Sequence, residues 1–162
     1  MSTEQITAEV TTLDELKSYI GKETSVGDWF LITQEMVNKF ADATGDHQFI
    51  HVDPERAKQT FFGGTIAHGF FTLSATGMFS RNATGIRVRL AGAKMGVNYG
   101  LDRVRFISPV PVGKRVRVRR KLLAVEEAPD KRWVQMKNET TVEVEGSDRP
   151  AMVAETLTRT YF

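Results

Sequence analysis

The sequence predicts a single α+β domain, an antiparallel sheet of about five strands wrapped around a long central helix. Three observations carry that expectation. The hydropathy period changes from helical to alternating after residue 85. The stretch 63–82 is apolar nearly all round, as a helix buried on most sides must be. The 162 residues suit one domain with a core large enough to need no staples, and the chain has no cysteine to make any.

Each element follows from its local pattern. Residues 1–11 read as a loose tail at the start of the 1–162 domain. Leu13, Leu16 and Ile20 stand at helical spacing ahead of Gly21, which predicts a short helix over 13–21. Residues 26–33 read as a strand. Residues 33–45 read as a helix with Thr33 as N-cap, Met36, Val37 and Phe40 on one face, and Gly45 as its stop. Asp53 and Pro54 have the chemistry of a cap and a first helical position for 53–59. Within 63–82, Gly69 and Gly77 each cost up to ~1 kcal/mol in a helix relative to Ala, so they predict close backbone packing. Residues 95–106 read as a strand bulged at Gly100, and 151–162 as another. Residues 114–121 and 133–145 alternate in polarity on either side of turn chemistry about Pro129, so they read as a hairpin with one wet face. A turn there sets Arg119 opposite Glu139 and Arg115 opposite Glu143.

Composition narrows the function classes. Lys and Arg total 22 against 20 for Asp and Glu, a net charge of +2. That is too weak and too scattered for a nucleic-acid binder. The stripe of Arg115, Arg117 and Arg119 has two readings, contact with an acidic ligand tail or cross-strand ion pairing, and ion pairing is the more economical. No run of 18 apolar residues exists, so no membrane partner is expected. The first residues lack a positive n-region and an apolar h-region, which predicts no secretory signal and a cytoplasmic protein.

The chemistry concentrates in ATGDHQFIHVDPERA, residues 43–57. His47 and His51 are spaced as in a zinc-protease helix, but Gln48 stands where that chemistry needs a Glu base, and Asp53-Pro54 interrupts the helix. The expectation is therefore no metal. Asp46 and His51 offer a carboxylate and an imidazole that titrates near neutral pH, the parts of an acid/base pair around a water. The competing reading makes Asp46 a turn cap and His51 a packed histidine. A second block, GTIAHGFF, opens the apolar helix. The Gly69 N–H would be among the unpaired donors at the helix start, where an oxyanion can be met; tight helix–sheet packing is the alternative reason for that glycine.

Together, TGDHQFIHVDPERA and FGGTIAHGFFTLS resemble the MaoC-like hydratase family, the (R)-specific enoyl-CoA hydratases of the hotdog fold. Gly45, Asp46, Ile50, His51, Asp53, Pro54 and Ala57 match the first family motif, and Ile66, His68 and Gly69 match the second. Gln48 and Phe49 replace the usual Asn-Pro, a form closer to the NodN-like branch. The family's Ser on the central helix falls at about Gly77, near Ser74. The resemblance implies a hydro-lyase that adds water to a trans-2-enoyl thioester, giving a (3R)-hydroxyacyl thioester. Asp46 and His51 would be catalytic, Gly69 the oxyanion donor, and Gln48, Ile66 and His68 substrate-binding. No cofactor is implied; coenzyme A would be only the carrier of the acyl substrate. Phe49, Ile66 and Phe70 are expected to be core before tunnel wall. The resemblance also implies a homodimer.

Two rivals are weighed on the same residues. A hotdog thioesterase relies on an acidic residue on or near the central helix, and none lies between Ile66 and Ser80. A non-catalytic acyl-thioester binder or support subunit has no need of the Asp46–His51 pair.

Overall fold

The computed structural model describes residues 7–162. Its element order is β1 (Thr7–Val10), α1 (Leu13–Lys17), β2 (Glu23–Val26), β3 (Phe30–Leu31), α2 (Gln34–Thr44), α3 (Phe49–Val52), α4 (Pro54–Ala57), α5 (Gly69–Ser74), a 3₁₀ turn (Ala75–Gly77), β4 (Thr84–Val88), β5 (Met95–Phe106), β6 (Arg115–Glu127), β7 (Trp133–Val144) and β8 (Met152–Tyr161). One sheet of eight strands runs in the order β1-β4-β2-β6-β7-β8-β5, with β3 paired to β6 off that path. Every pairing is antiparallel except β1 with β4. The sheet curls around α5 and its 3₁₀ extension, so the α+β class and the central helix hold while the strand count is larger.

The local signals act where they were expected. Thr33 Oγ1 accepts the Met36 N–H at 3.3 Å, and Gly45 closes α2 in the left-handed region at φ 78°. Asp53 Oδ1 accepts the Arg56 N–H at 3.0 Å, with Pro54 opening α4. Thr12 caps α1. In β5 the ladder with β8 shifts between Asn98 and Gly100, the bulge expected near Gly100.

Several expectations are corrected. Residues 7–10, read as tail, form β1, which buries Val10; residues 1–6 of that tail lie outside the described residues. The stretch 26–33 divides into the end of β2 and the short β3. The long helix over 63–82 is only α5 and one 3₁₀ turn, because 64–68 run extended: Ile66 bridges Pro111 and Ala67 donates to Val110 O at 2.8 Å. Gly69 is closely packed, but a Cβ on Gly77 would meet nothing within 4 Å.

The β6–β7 register is also displaced. Arg117 faces Glu143, Arg119 faces Thr141 and Lys121 faces Glu139, since the turn centres beyond Pro129, with Lys131 at φ 57°. Ion pairing nevertheless explains the stripe: Arg115 pairs with Glu145, Arg117 with Glu143 at 2.6 Å and Arg119 with Glu23 at 2.7 Å.

The core forms two clusters. One gathers Val37, Phe71, Phe79, Val118, Val142 and Met152 around α5; the other gathers Val10, Leu16, Leu90, Leu122 and Val134 at the far end of the sheet. Among the described residues no helix is long and apolar enough to cross a membrane.

Candidate active site

Three short segments converge at the N-terminal end of α5. The first is α3, which follows α2 through the Gly45 turn and carries His51. The second is the extended run 65–68. The third is the loop after β5. Backbone bonds tie them together: the Ile66 N–H donates to Ile50 O at 3.0 Å, the Ala67 N–H to Val110 O at 2.8 Å, and the Val112 N–H to Thr65 O at 2.9 Å. These bonds make the site a consequence of chain crossing, which no single motif encodes.

His51 is 7% exposed and His68 is 3% exposed, and their rings stack at 3.8 Å between centroids, tilted by 26°. His51 Nδ1 lies 2.7 Å from the Ile66 carbonyl oxygen. A carbonyl only accepts, so Nδ1 carries the hydrogen and the lone pair sits on Nε2. His68 Nε2 lies 2.9 Å from the Asp46 carbonyl oxygen. By the same logic His68 donates from Nε2, and its Nδ1 is a buried acceptor with no hydrogen-bond partner. Burial lowers the His68 pKa, followed in the same direction by the neighbouring His51; the bond to Asp46 O only partly opposes this. His68 is thus held neutral.

One donor atom from each of Asp46, His51 and His68 lies within 4.8 Å of the other two. The sequence pairs His51 with Asp46; the structure adds His68, which sequence reasoning placed second. Two imidazoles and a carboxylate can hold a water or, by donor type, a divalent metal. The His47–His51 spacing has no part in this grouping. His47 turns outward to Asp42, 2.9 Å away, and that contact raises its pKa.

A cavity of about 250 Å³ opens beside the histidines, lined by His51, Ile66, Gly69, Thr72 and Phe106 with residues 107–110. Asp46 is exposed and is not part of the cavity wall. Gly69 is the first residue of α5, with His68 as N-cap, so its N–H is one of the donors that the helix cannot pair internally. A Cβ there would lie 2.9 Å from Phe106 Cδ2, so close packing against an aromatic ring is one physical reason for the glycine.

Gln48 contributes its backbone: its N–H donates to Asp46 Oδ1 at 3.4 Å, while its exposed side chain makes no hydrogen bond among the described residues. Ile66 is buried and lines the cavity. Phe49 is half-buried under the Arg56 guanidinium. Phe70 is not core: it is 69% exposed and packs edge-on to Phe106.

Sequence reasoning missed two supports. Gln34, the first residue of α2, donates to His51 O at 2.7 Å and accepts the Thr65 hydroxyl at 2.6 Å, so one amide clamps two of the converging segments. The wall from Ile107 to Val110 comes from a loop that carries no chemical signature. In both cases the partners are distant in sequence, and only the fold reveals the role.

A curled sheet around a short helix, with a carboxylate and two imidazoles at that helix's N-terminal end, defines a hotdog domain of the hydratase and dehydratase class. The chain belongs to the family described as MaoC like domain, whose family model matches residues 15–145. It is 50% identical over 145 residues to 3-hydroxyacyl-thioester dehydratase Z of Mycobacterium tuberculosis, covering 90% of this chain and 93% of that protein. It is 46% identical over 148 residues to Nodulation protein N of Rhizobium leguminosarum bv. viciae, covering 91% and 89% respectively. Among solved structures, the monoamine oxidase regulatory protein from Archaeoglobus fulgius superposes with a TM-score of 0.75 at 20% identity, over 95% of this chain and 96% of that one.

Proposed function

We propose that the protein interconverts a trans-2-enoyl thioester and its (3R)-hydroxyacyl thioester by adding or removing water, with Asp46 and His51 as the acid/base pair. The observation that carries this reading is the contact of His51 with the Ile66 carbonyl oxygen. Its Nδ1–H is committed to Ile66 O, which leaves the Nε2 lone pair as proton acceptor beside the Asp46 carboxylate and the Gly69 cavity. In the hydration direction a water between the two side chains loses a proton as its oxygen bonds to the β-carbon. The α-carbon then takes a proton from the same face.

Negative charge gathers on the thioester oxygen as the β-carbon is attacked, and the Gly69 N–H would meet it. Ile66 would meet the substrate from the cavity wall, His68, outside that wall, would back the His51 ring, and Gln48 would hold the Asp46 turn through its backbone. The name of the mycobacterial relative supports a 3-hydroxyacyl thioester as substrate. The reading requires no metal and no cofactor beyond the carrier of the acyl group.

The active form is proposed to be a homodimer. Among the described residues β5 pairs only with β8, and its exposed Met95, Val97, Tyr99 and Phe106 line an edge that ends at the proposed catalytic cavity.

The test is loss of the enoyl-thioester absorbance with crotonyl-CoA for wild type, Asp46→Asn and His51→Ala. Turnover by wild type and a drop of about 10²–10⁴ in folded variants is the expected result. Wild-type inertness towards both short and longer enoyl thioesters would overturn the reading. Activity lost to a chelator and restored by zinc would reassign Asp46, His51 and His68 to a metal.

A further inference from the structure

The inward row of β6 reads Val116, Val118, Arg120, Leu122. The three apolar members are 0–1% exposed, and Arg120 occupies the same phase of the strand alternation. Val118 belongs to one core cluster and Leu122 to the other, so Arg120 stands at the break between them. Its ladder neighbours continue a polar layer. Thr140 lies opposite it, fully buried, and Asn138 pairs with Thr156 in the next rank.

Arg120 is also distinguished by its lack of a counter-ion. Its outward neighbours Arg117 and Arg119 each pair with a glutamate. Arg120 makes one long side-chain bond, Nη2 to Thr76 O at 3.4 Å, and among the described residues no carboxylate lies within 4.0 Å. A guanidinium has five N–H donors, so most of them face open space. That space consists of two adjoining cavities, of about 310 and 370 Å³, which share Arg120, Thr76, Asn98 and Thr156. Leu16, Leu122 and Met136 give the first an apolar side. Among the described residues, Arg120 is the only Lys or Arg in either wall.

We infer that this cavity is a second binding site, distinct from the one at His51, and that it takes a small aliphatic carboxylate. The carboxylate would sit on the Arg120 fork, which suits two parallel N–H···O bonds. Hydroxyl and amide groups would surround it, and the hydrocarbon would lie on the Leu16 side. A single cation matches a single carboxylate and not a polyphosphate. Two sources offer this chemistry. One is a free short-chain acid. The other is an acyl thioester whose far end carries a carboxylate. Thr76 is seven residues along the central helix from Gly69, a rise of about 10 Å, so a chain held at His51 can span the interval.

The experiment is calorimetric titration of the protein in its solution assembly with hexanoate and with hexanamide, using wild type, His51→Ala and Arg120→Met. Hexanoate is expected to bind wild type and His51→Ala alike, and to bind Arg120→Met at least about tenfold more weakly; hexanamide should be correspondingly weak on wild type. The methionine variant should melt no lower than wild type, because it removes a half-buried cation that has no counter-ion among the described residues. If it does not fold, Arg120→Lys, which keeps the charge without the fork, should weaken binding by a smaller factor. Hexanoate binding that survives loss of the guanidinium overturns the proposal, and so does absence of binding to wild type.

A kinetic arm separates the sources. Enoyl thioesters of equal length ending in carboxylate or methyl are compared on wild type and Arg120→Met. An Arg120-dependent preference for the carboxylate identifies the acyl end, and binding of hexanoate without that preference identifies the free acid. The titration needs no turnover, so failure of the hydratase reading and failure of this proposal are separately visible.

Discussion

Replacing Gly69 by Ala tests the joint between the central helix and the cavity wall. The new Cβ would lie 2.9, 3.0 and 3.1 Å from Cδ2, Cγ and Cδ1 of Phe106. Rotating the ring cannot clear this overlap, because Cγ lies on the rotation axis. The ring must translate, and Phe106 is 45% exposed, so it has room outward. The cost should sit in the lower part of the overpacking range, about 1–2 kcal/mol. Ala at a helix start recovers only part of the ~1 kcal/mol by which it exceeds Gly in a helix interior. A net loss of about 1 kcal/mol lowers Tm by roughly 2–4 °C for a chain of this size.

The effect on turnover should be larger. Gly69 and Phe106 line the same cavity, and if the Gly69 N–H is the oxyanion donor proposed above, displacing it costs ~2.7–4 kcal/mol of transition-state stabilisation. The assay pairs thermal melts with enoyl-thioester consumption for Gly69→Ala, Phe106→Ala and the double variant. The alanine should destabilise only when the ring is present, giving a coupling energy of about 1–2 kcal/mol. If Gly69→Ala lowers Tm equally in both backgrounds, the ring is not the reason for the glycine, and the packing argument fails.

Three further outcomes follow from the same geometry. Gln34→Ala should cost ~1–3 kcal/mol in a urea melt and lower kcat, because it leaves the Thr65 hydroxyl and His51 carbonyl without their partner; a silent variant would show that the clamp carries no strain. His68 has a folded pKa depressed below its usual 6.5, so its contribution is complete above about pH 6.5 and is lost as pH falls through the folded value. Urea midpoints should therefore fall on acidification, and less steeply in His68→Asn. Val97→Lys places a charge on the open β5 edge and should convert a dimer to a monomer by light scattering.

The sequence by itself determined what is local. Thr33, Gly45, Asp53 and Pro54 act within a turn of their own position, so caps and stops were legible, as were the alternating strands of the long hairpin. The two motifs around Asp46–His51 and His68–Gly69 named the class of site, because their residue types and spacing are specific together. The strand 7–10 was not legible: its order comes from pairing with β4 and from Val10 packing against Leu90, Leu122 and Val134, all far along the chain. The hairpin register slipped because Arg and Glu alternate with period two, so a shift by two residues still sets opposite charges face to face, and the turn centre decided among the pairings.

The tautomer of His51 depends on the Ile66 carbonyl and that of His68 on the carbonyl of Asp46, both contacts made by folding. Arg120 follows directly on the stripe of Arg115, Arg117 and Arg119 without a signal of its own, and the strand phase together with the lack of a carboxylate among the described residues set it apart. Residue types and short spacings are properties of the chain. Proton positions, burial and the pairing of charges belong to neighbours distant in sequence, so only tertiary structure could decide them.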